Sequence, residues 1–179
     1  MGDEPTHVVF SLEVDEDGWP PVSAERVWAV PVGSDLYRLE NAPWFACGVA
    51  HGDVVRAVAP DADSWAVYVE TVERSGNATI RVVPFRAGPL AGSLQAVLDA
   101  FEPVGVSGEG SGVHPIVALT VPPDVDLAPV KSLLAAGRAD SRWDVEEACT
   151  DARWETASVA PVASVSRWRR RPRKTNGRD

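Results

Sequence analysis

The sequence lacks most of the features that identify a compartment or a membrane segment. It contains only two cysteines, Cys47 and Cys149, which are far apart and form no C-x-x-C motif. This number excludes a disulfide-rich secreted scaffold and predicts reduced thiols in a cytosol. The N-terminus M-G-D-E-P-T-H has no basic segment followed by an apolar run, and no apolar stretch approaches the roughly 20 residues that span a bilayer. We therefore expect a cytoplasmic protein with no membrane role.

Sequence motifs typical of a particular enzymatic reaction are missing as well. The chain has no phosphate-binding loop, no metal-ligand spacing and no nucleophile elbow. Cys47 lies among apolar neighbours in the sequence, which disfavours a reactive thiolate. The sequence therefore predicts no metal, no cofactor and no catalytic residue.

What the chain does have is enough apolar material for a core. Its 179 residues, 45% of them hydrophobic, suit one domain or two small domains packed closely together. Seven tryptophans are a high number for this length, and each large ring needs burial or a partner to contact. We expect most of these rings in the core or in an interface.

Charge is distributed unevenly along the chain. The formal net charge is −9, but residues 167–179 carry seven basic residues and one acidic residue, so subtracting this local +6 leaves −15 for residues 1–166. The acidic body repels nucleic acid, whereas the tail attracts polyanions. The candidate polyanion-binding residues are Arg167, Trp168, Arg169, Arg170, Arg171, Arg173 and Lys174.

Turn residues divide the first half of the chain into short segments that alternate in polarity as strands do. The segments 33–34 and 75–77 predict hairpin turns. Predicted strands span residues 7–14, 24–32, 35–41, 53–59, 64–73 and 78–85. Five or six short strands over about 80 residues favour a small antiparallel β-barrel of the SH3-like or OB-like kind.

Residues 42–52 interrupt this pattern. Because Pro43 begins the segment and two glycines punctuate it, we predict one helical turn there. Such a turn would lay Trp44 and Phe45 over one end of the barrel as a plug.

The period of the pattern changes in the second half. Apolar residues at positions 90, 94, 97, 98 and 101 share one helical face, and Pro103 and Gly105 mark the end of this helix. Segments 106–111 and 114–121 are typical of a hairpin. Asp126 can cap a second helix with its exit at Gly137, and alternation from Trp143 predicts a last strand.

The predicted fold class is α+β. From residue 79 the order is strand, helix, strand, strand, helix and strand, which is the βαββαβ pattern of a ferredoxin-like sandwich. The predicted domains are a β-barrel over residues 1–75, a ferredoxin-like domain over residues 76–150, and an irregular to disordered basic tail over residues 151–179. Since no flexible linker separates the first two, we expect them to pack together.

Three sequence blocks carry a resemblance to a known family. W-P-P, A-P-W-F-A-C-G-V-A-H-G-D-V-V-R-A and S-G-N-A-T-I-R-V occur in this order. With them the chain resembles the bacterial family catalogued as domain of unknown function 4265, over roughly residues 8–150. Membership implies a cytosolic bacterial protein, but it supplies no established activity and no catalytic residue.

A polar site at the barrel rim has four candidate residues, His51, Asp53, Arg81 and Trp44. An aspartate beside a histidine can fix its tautomer and raise its basicity, as general-base chemistry requires. The preferred interpretation is structural, because Gly52-Asp53 is typical of a turn in which the aspartate accepts backbone hydrogen bonds.

Two other polar clusters also have structural interpretations. The charged residues of segment 70–81 are expected on adjacent strands, where opposite charges pair across the ladder. Glu109 and His114 flank a glycine-rich segment and form a possible metal or acid/base pair. Two ligands are fewer than a catalytic zinc site uses, so a hairpin tip is the preferred interpretation.

Three functions from different classes follow from these observations. The leading hypothesis is a non-enzymatic binding or adaptor protein that presents an acidic surface to a protein partner, as an immunity-like or antitoxin-like protein does. The alternative is a small hydrolase or ligand-binding protein that uses the polar pocket at the barrel rim. The third is nucleic-acid association through the basic tail alone.

Overall fold

The structure is a computed structural model that describes residues 4–61 and 63–157. The described residues form a mixed α+β fold with two sheets of mostly antiparallel strands and few helices. In the first sheet each strand pairs with the next in antiparallel orientation, and the last strand pairs in parallel with the first through Val8–Ala66 and Val9–Val67. Its strands are β1 (Thr6–Ser11), β2 (Ala24–Gly33), β3 (Leu36–Leu39), β4 (Val54–Val58) and β5 (Ala66–Glu73).

Alternation along these strands decides which side chains enter the core of the first sheet. In β2, Val27 and Ala29 are buried, whereas Arg26 and Trp28 are exposed, as the two-residue period of a strand requires. The predicted strands are all present, and their ends lie within three residues of the predicted bounds. For example, β1 spans Thr6–Ser11, whereas the predicted strand spans residues 7–14.

The second sheet has the order β7-β8-β6-β9, with every neighbouring pair antiparallel. Among the described residues three α-helices accompany it, and their apolar side chains share one core with the sheet. The elements are β6 (Ala78–Pro84), α1 (Leu94–Phe101), β7 (Ser107–Gly110), β8 (Val117–Val121), α2 (Leu127–Ala139), β9 (Trp143–Cys149) and α3 (Ala152–Thr156).

Side-chain caps begin α1 and α2. The cap of α2 is the predicted Asp126, whereas α1 starts at Leu94 and leaves the predicted Leu90 outside the helix. Ser93 accepts a hydrogen bond from the Ala96 N–H at the start of α1, and Asp126 accepts one from Ala128 at the start of α2. Gly105, with φ of 78°, ends the turn that follows α1. Within the described residues, no helix combines the length and apolar character needed to cross a membrane.

The predictions for residues 75–77, for Gly137 and for the segment from residue 151 are wrong. Residues 75–77 do not form a hairpin, because β5 and β6 belong to different sheets. The exit of α2 is not Gly137, since the helix continues to Ala139. The irregular segment predicted from residue 151 begins with α3, whose five residues are too few to show a period. The remaining tail, from residue 158, lies outside the described residues.

Candidate functional site

The junction loop, residues 42–53, lies between the two sheets and is held by a buried carboxylate from β2. Glu25 accepts hydrogen bonds from the backbone N–H groups of Trp44, Phe45 and Ala46 at 2.6, 2.9 and 2.8 Å. Three consecutive backbone N–H groups thus converge on one carboxylate, as they do in the backbone nests of other proteins that bind anions. The predicted helical turn is wrong because the loop satisfies its N–H groups through Glu25 instead.

The junction loop contacts both sheets through different side chains. Ala46 and Val49 join the core of the first sheet. Phe45 instead packs with Val83 and Ile116 of the second half, and Trp44 packs against the same cluster. The predicted plug is therefore made by the smaller residues, while the aromatic pair covers the second sheet.

Asp53 closes the other end of the junction loop. Its side chain is 1% exposed and accepts hydrogen bonds from the Ala50 N–H at 3.1 Å and from the Ser75 N–H and hydroxyl at 2.8 and 3.0 Å. Arg74 donates to the same carboxylate at 3.1 Å. Both carboxylate oxygens are thus engaged in holding the loop against the segment between β5 and β6.

The four predicted site residues have different surroundings. His51 lines a groove of about 180 Å³ with Glu40 and Glu109, between the junction loop and β7. The indole N–H of Trp44 donates to the Glu109 carbonyl at 3.2 Å.

His114, which the sequence paired with Glu109 as a possible metal or acid/base site, packs against an aromatic ring. It meets the Phe45 ring edge-on at 5.2 Å between centroids. No group of three or more His, Cys, Asp or Glu side chains within residues 4–61 and 63–157 could hold a metal ion.

Arg81 is buried on β6 and contacts the junction loop. It pairs with Glu146 of β9 at 2.9 Å and donates to the Ala46 carbonyl. Its hydrogen-bond partners are therefore distinct from those of Asp53. The predicted pairing within segment 70–81 is wrong, because the partners of these charges come from elsewhere: Arg56 for Glu70, Asp53 for Arg74 and Glu146 for Arg81.

An exposed aromatic patch, which we define as His7, Arg26, Trp28 and Trp65, lies on the outer face of the first sheet. The His7 ring is 3.9 Å from the Trp28 ring and 5.6 Å from the Trp65 ring, between centroids. The Arg26 guanidinium carbon lies 4.4 Å from the centre of Trp65. Trp28 and Trp65 nevertheless remain 50% and 48% exposed.

Strand register extends this patch into an apolar row. Val58 lies opposite Val67, Val67 opposite Val9, and Val9 opposite Arg26, so the row crosses four strands. Residues directly opposite each other place their side chains on the same face of a sheet. The aromatic patch is therefore one end of a continuous, largely apolar outer surface.

The surroundings of the histidine in the aromatic patch disfavour its charged form. Partial burial lowers the pKa of His7 below its ordinary value, and the neighbouring Arg26 charge lowers it further. Arg26 is thus the fixed positive charge among the rings. The expectation that most tryptophans lie in the core or in an interface did not single out Trp28 and Trp65, although alternation in β2 already separates Trp28 from the buried Val27.

Comparison with known proteins places the chain in a family. A family model described as a domain of unknown function, DUF4265, matches residues 25–145. The chain belongs to this family. The DUF4265 match includes Glu25, the whole junction loop, Trp28 and Trp65, whereas His7 lies outside it.

A solved structure has a similar fold. The crystal structure of a hypothetical protein from Neisseria gonorrhoeae matches with a TM-score of 0.63 and 19% sequence identity, covering 83% of this chain and 96% of that chain. At this identity the likeness concerns the fold alone. None of the curated proteins compared with this DUF4265 chain matches it.

Proposed function

We propose that this protein is a non-enzymatic binding protein that docks a protein partner on the exposed aromatic patch. The observation that carries the proposal is the pair of half-exposed tryptophans, Trp28 and Trp65, held in place by His7 and Arg26. Tryptophan and arginine are enriched among the residues that dominate binding energy in interfaces. Rings already fixed by their neighbours lose little conformational freedom when a partner binds.

Charge around the aromatic patch defines the partner. The backbone N–H of Glu40 donates to the Trp28 carbonyl at 2.8 Å, which places this acidic residue beside one end of the patch. Asp61 and Asp63 lie in the turn that precedes Trp65 at the other end. With a formal −15 on residues 1–166, the complementary surface is an apolar pocket edged by lysine and arginine, and long-range attraction speeds its encounter.

The other two functions lack a favouring observation. The carboxylate of Asp53, which a hydrolase at the barrel rim would need, is buried and bonded to the loop, Arg74 and Ser75. Nucleic-acid association through the tail concerns residues 167–174, which lie outside the described residues. A binding protein is therefore the function that the described surface favours.

We also infer a finer classification of the fold. The cyclic pairing of β1 to β5 supports a small barrel of the SH3-like or OB-like kind. The element order from β6 to β9 and the strand order β7-β8-β6-β9 support a ferredoxin-like second half. The outer wall of such a barrel is where the aromatic patch is presented.

Replacing both tryptophans by serine is expected to abolish partner binding. Tagged full-length chain is recovered at low salt from the cells that encode it, and bound proteins are quantified by mass spectrometry for wild type and the W28S/W65S variant. Truncating one interface hot spot typically costs at least about 2 kcal/mol, or about 30-fold in affinity. A basic protein should accompany the wild type and be missing from the double variant.

The matched control is Val113→Ser, which removes an apolar side chain that is 86% exposed between β7 and β8. This variant should retain the partner fully, and all three proteins should unfold at similar temperatures. The proposal fails if wild type recovers no protein at low salt. It also fails if the double variant keeps the partner, or if Val113→Ser loses it equally.

A further inference from the structure

The two cysteines of the chain lie on either side of one backbone hydrogen bond between the junction loop and β9. The N–H of Gly48, which follows Cys47, donates to the carbonyl of Ala148, which precedes Cys149, at 2.8 Å. Covalent geometry then limits the distance between the two cysteine Cα atoms to about 8 Å. A disulfide requires roughly 4.4 to 6.8 Å between Cα atoms, so at most a small shift of the loop separates this pair from bonding distance.

The side chain of Cys149 lies on the face of the second sheet that the junction loop covers. Cys149 is opposite Thr79 in the register of β9 and β6, so their side chains share one face. The Thr79 hydroxyl donates to the Val49 carbonyl in the junction loop at 3.1 Å. The Cys149 sulfur is therefore on the Cys47 side of the sheet.

Two arginines confirm this orientation from both directions. Arg81 Nη1 lies 3.5 Å from the sulfur of Cys47 and also donates to Glu146 of β9, so this sulfur is directed towards the second sheet. Arg74 Nη1 lies 3.6 Å from the sulfur of Cys149 and also donates to the Gly48 carbonyl, so that sulfur is directed towards the loop. Cys47 is exposed, although its neighbours in the sequence are apolar, and its sulfur lies beside the Arg81 guanidinium.

We propose that Cys47 and Cys149 are a peroxide-oxidisable thiol pair that closes to a disulfide between the junction loop and β9. This modification site is independent of the aromatic patch and of the proposed partner. Cys47 is the thiol that meets the oxidant, because it is the exposed member of the pair. Cys149 is only partly exposed and resolves the oxidised form.

The chemistry proceeds in two steps with hydrogen peroxide as the oxidant. The Cys47 thiolate attacks one peroxide oxygen, the O–O bond breaks, and the products are a sulfenic acid and hydroxide. The Cys149 sulfur then attacks the Cys47 sulfur, the S–O bond breaks, and water leaves with the thiol proton. The two thiols lose two electrons in total and the peroxide gains them.

The environment of Cys149 suits this second role. Burial raises the pKa of the Cys149 thiol, and the Arg74 charge opposes that rise. A thiol that stays protonated is a poor first target for peroxide, since the thiolate is the nucleophile. Once the sulfenic acid has formed at Cys47, proximity in the folded chain makes closure fast.

The test treats the full chain with hydrogen peroxide and measures intact mass before and after thiol alkylation. Wild type should lose the mass of two hydrogen atoms, remain monomeric on a non-reducing gel and lose both alkylatable thiols, and dithiothreitol should restore them. As the chain has only two cysteines, an intramolecular disulfide can join no other pair. The Cys149→Ser variant should instead form a sulfenic acid that dimedone traps, and Cys47→Ser should stay reduced at the same dose.

A fold-dependent control separates this site from ordinary thiol oxidation. In denaturant Cys47 and Cys149 move apart, because the long stretch of chain between them is no longer folded. The same peroxide dose should then no longer give the monomeric disulfide in high yield. Covalent dimers, over-oxidation of Cys47 without closure, or equal disulfide yield in folded and unfolded chain would each overturn the proposal. So would faster oxidation of Cys149 in Cys47→Ser than of Cys47 in Cys149→Ser.

Discussion

The Gly137→Ala variant is expected to be less stable than wild type by about 3 kcal/mol, through overpacking of the core of the second half. A Cβ atom at this position in α2 would overlap the indole of Trp143. The indole cannot retreat, because it is fully buried, lies 5.6 Å from the Phe101 ring and donates to the Leu134 carbonyl at 3.3 Å. Urea unfolding followed by circular dichroism measures the difference.

Helix propensity alone predicts the opposite sign for this substitution. Alanine is favoured over glycine inside a helix by roughly 1 kcal/mol, so a stabilised Gly137→Ala protein would show that the indole can move. The control is Gly112→Ala, where an added Cβ meets nothing within 4 Å and the backbone is not in the left-handed region. That variant should unfold within about 0.5 kcal/mol of wild type.

Gly137 also shows which features of α2 the local sequence predicts and which it does not. The apolar spacing and the Asp126 cap predict α2, and both are found. A glycine near the end of such a pattern is typical of a helix exit. Its actual role depends on Trp143, which returns on β9 after the helix. Packing across elements is not visible in the period of a single element.

The same limit explains the errors at the junction between the sheets. Residues 75–77 have hairpin chemistry, but whether the two flanking strands pair depends on the other strands available to each. The junction loop has the punctuation of a helical turn, yet its conformation is set by Glu25, which lies about 20 residues earlier. Long-range hydrogen-bond partners replace local ones at both places.

The two candidate sites also contain features that the sequence predicts and features that depend on contacts between distant segments. Exposure of Trp28 follows from alternation in β2, so that part of the aromatic patch was predictable. The approach of Trp65 was not, because it requires the parallel return of β5 to β1. The proximity of Cys47 and Cys149 likewise depends on how the junction loop lies on β9, for which the sequence offers no local pattern.

Removing the Glu25 side chain is expected to release the junction loop and destabilise the protein by at least about 3 kcal/mol, since an unsatisfied buried donor costs about 1 to 3 kcal/mol and three donors lose their acceptor. In Glu25→Ala the N–H groups of Trp44, Phe45 and Ala46 have no carboxylate to bond. Because the site is 6% exposed, water replaces that acceptor only if the loop opens. Hydrogen exchange of these three amides should accelerate more than exchange in the core of β8.

The matched control for Glu25→Ala is Glu70→Ala, which removes an exposed carboxylate paired with Arg56 at 2.9 Å on the same sheet. Exposed pairs contribute at most about 1 kcal/mol, so this variant should keep both its stability and its slow loop exchange. Equal losses in the two variants would show that Glu25 does not hold the loop.

The released loop also carries Cys47, so Glu25→Ala should lower the yield of the Cys47–Cys149 disulfide. The same variant should leave binding at Trp28 and Trp65 largely intact. The two results together separate the two proposed sites in one protein.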